Sequence, residues 1–309
     1  MMKLLIFGGT GIIGEVLSEK AIENGYEVTT VGTELNYETK ANFVHVNKLA
    51  ELNKDWDAII DIFTFDKQKE LSEFKSDQII VLSSTLVYDR SKWGAERISS
   101  KQPKAKKGTQ GGYVDHKLEL EDFWSETDRN WTILRPYHII GSDSYLGCLP
   151  PHNRDPLLLE HIKKGEISLC DGGRIPLNIV HPRDIAEVIL RCVGNSETVR
   201  NYYNLVNPEE IIARDYYLKI AEIEGVNLKI KNVPGEEIWH SGEWALTTLP
   251  HLYDVSNLSL DINYVPNTKL EDCLRDAINN PPKKKKKDET EVHKRMHIPP
   301  IIQEHPYFK

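Results

Sequence analysis

The chain has 309 residues, with 39 Lys plus Arg against 47 Asp plus Glu and a formal net charge of -8, which excludes a uniformly basic nucleic-acid binder. At 39% hydrophobic and 28% charged it is too apolar for a disordered chain, and it is long enough for one large α/β domain or two smaller ones. Cys148, Cys170, Cys192 and Cys273 stand far apart with no C-x-x-C pair, a usage that points to free thiols in a reducing compartment and to no structural zinc or other bound metal.

From the N-terminus, Leu4-Leu5-Ile6-Phe7 reads as a short buried strand; its apolar run meets Gly8-Gly9 too early for a signal sequence. No stretch approaches the roughly 20 apolar residues of a membrane span, so the expected location is cytoplasmic, away from membranes. After the glycine-rich turn, Glu15 to Asn24 carries Val16, Leu17, Ala21 and Ile22 at helical spacing, and Glu27 to Val31 reads as a second strand. Further apolar runs recur at Phe43 to Val46, Ala58 to Phe63, Ile79 to Leu82 and Trp131 to Leu134, with helix-like or polar segments between them. That alternation predicts an α/β fold with a doubly wound parallel sheet.

The pattern loosens after Gly141. Pro150, Pro151, Pro156 and Pro176, with a strand-like Ile175 to Val180, indicate a smaller and less regular lobe; helical order returns at Pro182 to Leu190, with Pro182 near the helix start. The expected organisation is a dinucleotide-binding unit over 1–145 to which 175–200 contributes, a smaller α+β substrate lobe over 146–280, and a lysine- and proline-rich tail over 281–309. Within that tail Lys283 to Lys287 form an unbroken basic run, partly neutralised by Asp288, Glu289 and Glu291, which reads as a solvated linker.

Gly8-Gly9-Thr10-Gly11-Ile12-Ile13-Gly14 satisfies G-x-x-G-x-x-G and, from Gly9, G-x-G-x-x-G, between a buried strand and an amphipathic helix. In that setting glycines permit the tight turn, backbone N–H groups approach a pyrophosphate at the positive end of the helix, and Gly14 lets helix and strand pack closely. The loop therefore predicts a Rossmann-type dinucleotide site built by Gly8, Thr10, Gly11, Ile12, Ile13 and Gly14. An acidic residue at the end of the second strand ordinarily reads the adenosine ribose of NAD. Here Gly32 occupies that place and Glu34 comes two residues later, while the nearest lysine is Lys40, so NAD read by Glu34 or by main-chain contacts is expected, with NADP left open.

Tyr113-Val114-Asp115-His116-Lys117 is Y-x-x-x-K on a helix-like segment, where positions i and i+4 share a face and the ammonium lies beside the phenol. A neighbouring positive charge favours phenolate and suits the tyrosine to acid–base work. Tyr88-Asp89-Arg90-Ser91-Lys92 is a second match of the same form.

Together these motifs resemble the extended short-chain dehydrogenase/reductases, the family that includes NAD-dependent sugar epimerases and dehydratases, over roughly residues 1 to 280. Ile79 to Tyr88 looks like the family's strand ending in S-S-x-x-V-Y, whose catalytic hydroxyl falls on Ser84. The resemblance implies a catalytic tyrosine well downstream on the next helix: Tyr113 lies 29 residues beyond Ser84, whereas Tyr88 lies four beyond it and belongs to the V-Y pair. It thereby implies Ser84, Tyr113 and Lys117 as the catalytic set, with Lys117 also holding the nicotinamide ribose. Leu134-Arg135-Pro136 and the following residues to Gly141 look like L-R-P-x-x-x-x-G, which implies cofactor contact at Pro136, and Phe63 joins the cofactor set. Asn47 stands where many relatives carry an adenine-reading aspartate, and Val180 to Ala186 resembles V-H-V-x-D-x-A, with Asp184 structural.

Several departures bear on substrate. Leu177 stands where nucleotide-sugar enzymes of the family place a diphosphate-clamping arginine, Arg174 lies three residues earlier, and His138 replaces a customary asparagine. Thr85, His138 and Arg174 are the candidate substrate contacts, Arg154 and Arg183 are further cations for an anionic substrate, and His138 and His152 are more readily packed or exposed histidines than ligands. Thr85-Leu86 replaces the Asp-Glu pair of dehydratases. The expected function is NAD(P)-dependent hydride transfer at a secondary alcohol or ketone of a sugar-like or small polar substrate. The alternatives are a net ketone reductase or dehydrogenase of a small or carrier-bound substrate, and a catalytically idle nucleotide-sensing or nucleic-acid-binding protein. A homodimer is expected through the Y-x-x-x-K helix, with Leu118, Leu120, Phe123 and Trp124 serving both core and partner.

Overall fold

Leu4, Leu5 and Ile6 are all fully excluded from solvent, so the first strand is covered on both faces, as a parallel sheet sandwiched by helices requires. The computed structural model describes residues 1–35, 37–62, 68–89, 97–235 and 248–282. Phe63, Lys92 and Lys283 to Lys287 lie outside the described residues.

The strands are β1 (Lys3–Phe7), β2 (Glu27–Gly32), β3 (Asn42–His45), β4 (Asp55–Asp61), β5 (Lys75–Leu82), β6 (Trp131–Pro136), β7 (Glu166–Cys170), β8 (Pro176–Leu177), β9 (Asn201–Leu205), β10 (Ile211–Ile212) and β11 (Lys229–Val233). The helices are α1 (Ile12–Glu23), α2 (Gln68–Ser72), α3 (Gly112–Ser125), α4 (Leu158–Lys163), α5 (Pro182–Cys192), α6 (Ala213–Ile223), α7 (Ser256–Ile262) and α8 (Leu270–Asn279). Seven strands form one parallel sheet in the order β3-β2-β1-β4-β5-β6-β9. Its chain order reverses between β1 and β4, the switch point at which open α/β sheets bind ligands outside their carboxyl ends.

Each face of the sheet has its own core. Leu17 and Ala21 of α1 and Ile185 and Ile189 of α5 pack with Ile6, Ile60 and Ile80 on one side. Leu120 and Trp124 of α3 pack with Leu5, Ile59 and Ile79 on the other. Helix α5 begins as its sequence dictates, with Pro182 in the first turn and the His181 ring accepting the Arg183 N–H. Asp184 is structural: one carboxylate oxygen accepts the Tyr264 hydroxyl at 2.5 Å and the other the Thr268 N–H at 3.1 Å.

A further core gathers Ile140, Leu149, Leu158, Ile162, Leu169, Tyr216, Ile220 and Leu274 beneath two small pairs, parallel β7-β11 and antiparallel β8-β10. The strand-like run from Ile175 to Val180 pairs in a named strand only at Pro176–Leu177. Beyond it the backbone turns to other partners: Asn178 N–H donates to His251 O and its side-chain oxygen accepts the Tyr253 N–H, while Val180 N–H donates to His138 O. Among the described residues no helix is long and apolar enough to cross a membrane.

Candidate active site

Because the strands are parallel, the segments after β1, β4, β5 and β6 emerge at one edge of the sheet. The first is the glycine loop. Gly8 has φ of +78°, the left-handed region, and a Cβ on Gly14 would fall 2.3 Å from Gly8 O and 2.4 Å from the Gly9 Cα. Glycine at both positions is therefore demanded by the turn and by the approach of α1 to the loop. The α1 N-cap is Gly11, and no side chain caps the helix, which leaves first-turn N–H donors at Ile12 and Ile13 facing the strand edge. This cradle suits a pyrophosphate.

At the end of β2, a Cβ on Gly32 would stand 2.4 Å from Thr10 Oγ1 and 2.8 Å from Thr10 Cγ2. Thr10 thus fills the space from which an acidic residue would reach a ribose, a physical reason for the missing acid. Glu34 lies exposed in the loop after β2, and Asn47 lies exposed just after β3, its N–H donating to His45 Nδ1 at 3.1 Å. Tyr37, which carries no motif in the sequence, folds back over the loop and donates its hydroxyl to Gly9 O at 2.7 Å. Burial lifts its phenol above the ordinary tyrosine range.

After β5, Ser84 is buried and caps a short 3-10 turn, its Oγ accepting the Leu86 N–H at 3.1 Å. A hydroxyl accepting in this way still has its hydrogen to donate. The turn Thr85–Val87 packs against the start of α3, where half-buried Tyr113 lies with Leu86, Val87, Val114 and Leu118. One helical turn on, Lys117 is buried and donates from Nζ to Leu82 O, the last carbonyl of β5, at 2.8 Å. Ser84, Tyr113 and Lys117 therefore converge on one strand end. Pro136 closes β6 beside them, its carbonyl 3.5 Å from the Thr85 hydroxyl.

The second Y-x-x-x-K tyrosine has a different fate. Tyr88 is fully buried, donates to Asn204 Oδ1 at 2.5 Å and accepts from Arg135 at 3.0 Å. Burial pushes its phenol up despite the opposing Arg135 charge, so it stays protonated and structural.

Besides its apolar packing, α3 is tied to β6 by an ion pair. Arg135, in the middle of the L-R-P segment, makes a two-pronged bond to Glu121 of α3, 2.8 Å from Nε and 2.7 Å from Nη2, with both side chains almost wholly buried and the guanidinium against the Tyr88 and Tyr202 rings. Burial works against the Arg135 charge, but Glu121 outweighs it and raises the pKa. This pair fixes the helix that carries Tyr113 and Lys117 to the strand that ends at Pro136. Leu118, Leu120 and Trp124 are likewise buried within the chain, leaving only Phe123 of the expected partner face half-exposed.

Beyond β6, His138 lies partly at the surface, but its Nε2 is buried without a hydrogen-bond partner among the described residues. Burial, then the Arg154 charge, pushes its pKa down to about 3, so the ring is neutral. Arg174 is exposed and donates from Nε to Asp171 O at 3.1 Å.

This architecture matches solved structures along nearly its whole length. An enzyme WbmH from Bordetella bronchiseptica, in complex with NAD+, aligns with a TM-score of 0.69 at 15% identity, covering 91% of this chain and 98% of that one. The chain shares the fold of solved NAD-dependent epimerase and short-chain dehydrogenase/reductase structures. A UDP-glucuronic acid 4-epimerase from Bacillus cereus in complex with NAD aligns with a TM-score of 0.66 at 15% identity, over 89% of this chain and 94% of that one. A short-chain dehydrogenase/reductase superfamily protein from Agrobacterium tumefaciens with bound NAD gives 0.67 at 15%, over 90% and 96%. No protein-family model matches the chain. Among curated proteins, the chloroplast stem-loop binding protein of 41 kDa b from Arabidopsis thaliana is 26% identical over 271 residues, 77% of this chain; the chain spans 65% of that relative's length.

Proposed function

We propose that the protein is an NAD-dependent oxidoreductase of the epimerase type, acting at a secondary alcohol of a sugar-like or small polar substrate through Tyr113, Lys117 and Ser84. The observation that carries this reading is the convergence of Lys117, anchored to Leu82 O, and Tyr113, packed on the Ser84 turn, at the strand edge that also bears the uncapped α1 N-terminus. The solved structures of the same fold that contain NAD support the choice of cofactor.

Gly8 to Gly14 would hold the pyrophosphate, and Lys117, with two N–H donors beyond the one given to Leu82, would hold the nicotinamide ribose. Bound there, NAD supplies a hydride acceptor and donor. Tyr113, as phenolate beside the Lys117 ammonium, takes the proton of the substrate hydroxyl. Ser84, whose hydroxyl hydrogen is uncommitted, donates to the same oxygen as it becomes a carbonyl. Return of the proton from Tyr113 after the ketone has turned its other face completes an epimerisation.

Elimination needs an additional acid–base pair, and Thr85-Leu86 supplies none, so a net reductase or dehydrogenase is the second chemical reading. The test is Tyr113→Phe: turnover of a responsive substrate is expected to fall by at least about 100-fold, the lower end of a positioned acid–base contribution, with nucleotide affinity kept. Full activity in that variant overturns the assignment. A reading of another class comes from the curated relative, whose name describes stem-loop binding. Tight, salt-resistant retention of an RNA stem-loop by the purified protein would favour it over hydride transfer.

A further inference from the structure

We propose that His152, Asp155 and His161 form a binding site for a divalent transition cation of the zinc class. The three residues come from a loop and the helix that follows it. His152 Nδ1 and His161 Nδ1 both approach the same oxygen, Asp155 Oδ2, at 2.6 Å and 3.0 Å. All three ligand atoms lie within 4.8 Å of one another. The His152 and Asp155 side chains are 13% and 14% exposed and that of His161 is 34% exposed, which leaves an open side for an ion and for water or another ligand.

The donors suit the borderline metals. Two neutral imidazoles and one carboxylate are the ligand types of open, three-residue zinc sites, and with a dication they leave a net charge of one positive unit. Zinc–ligand bonds of about 2.0–2.1 Å in tetrahedral geometry separate donors by roughly 3.4 Å, so each imidazole needs to draw back from Asp155 by less than an ångström, with the two imidazole nitrogens within 4.8 Å of one another. In each ring Nδ1 turns to the metal and Nε2 carries the proton.

The surrounding backbone builds the trio in. Asp155 Oδ1 accepts the Leu157 N–H at 2.8 Å, which fixes the carboxylate plane in the manner of an outer-shell partner. Asp155 N–H donates to His152 O, Arg154 N–H donates to Gly147 O, and Arg154 sits at φ of +53° between the two ligands. The four cysteines do not compete, being buried with their ionisation pushed up to about 12.

The test uses the full chain, stripped with a chelator and titrated calorimetrically with Zn2+, then loaded with Co2+ for visible absorption. One tight equivalent per chain is expected, with a Co2+ d–d band. His161→Gln, whose side chain is the most exposed of the three, should weaken Zn2+ binding by at least about 100-fold, more than the loss of an outer-shell partner, and should abolish the band while circular dichroism stays unchanged. Asp155→Asn should do the same. Absence of saturable Zn2+ binding and of a Co2+ band in the wild-type chain overturns the site whatever the variants do. Binding that persists at full stoichiometry in both folded variants also overturns it, because another of the eleven histidines would then be the ligand.

Discussion

Adding a methyl group at Gly32 tests why the second strand ends without an acid. A Cβ there falls 2.4 Å from Thr10 Oγ1, 2.8 Å from Thr10 Cγ2 and 3.2 Å from Thr10 Cβ. Threonine has three staggered positions for two heavy atoms and a hydrogen. Two of those positions face Gly32, so every rotamer leaves at least one heavy atom in the clash and the backbone must move. Overpacking of that kind costs about 1–3 kcal/mol. Thr10→Gly removes all three contacting atoms, so Gly32→Ala should be nearly neutral in that background. Urea denaturation of the four proteins gives the coupling, expected at about 1–3 kcal/mol in favour of the double variant over additivity. Additivity within about 0.5 kcal/mol, the range of independent sites, refutes the steric account. With the space cleared, Gly32→Asp in the Thr10→Gly background should tighten NAD binding by roughly tenfold, through a charged hydrogen bond worth about 1.5 kcal/mol.

Two further variants examine the frame around the site. Glu121→Gln leaves the buried Arg135 guanidinium without its carboxylate and should destabilise the fold by about 3–5 kcal/mol, read by thermal or urea unfolding; a loss under 1 kcal/mol would show that the pair does not hold α3. His138 is neutral in the folded chain with its pKa near 3, below the ordinary value of about 6.5, so below pH 6.5 the unfolded chain takes up a proton that the folded chain refuses and stability falls with pH. From pH 7 to pH 5 the wild type should therefore lose about 2 kcal/mol more than His138→Gln, in which the other histidines titrate as before; identical losses would contradict a buried, neutral ring.

The sheet was legible because it rests on local pattern. Leu4 to Phe7, Gly8 to Gly14 and the helix after them announce a strand, a turn and an N-terminus within one short stretch, while the preference for Tyr113 over Tyr88 rests on the family resemblance. What escaped rests on contacts between distant segments. Glu121 and Arg135 look like two more surface charges until α3 is laid on β6, where each becomes the other's desolvated partner. Tyr37 reaches Gly9 only because the loop after β2 folds back over the turn, and Gly32 acquires meaning only beside Thr10. His152 and His161 meet at Asp155 because a left-handed residue at Arg154 reverses the chain between them, which no spacing rule encodes. The apolar residues of α3 read as serving both core and partner, and only the fold shows that the sheet covers Leu120 and Trp124 and the turn after Ser84 covers Leu118.

NAD held at this strand edge beside Tyr113 would travel with the purified chain. Heat-denaturing the purified chain and identifying the released small molecules by mass spectrometry tests it most directly. NAD or NADH is expected at up to one equivalent per chain, lost in a Gly14→Ala variant whose new Cβ would collide with Gly8 and Gly9. A chain that releases no dinucleotide and fails to bind added NAD, while retaining RNA, would contradict it.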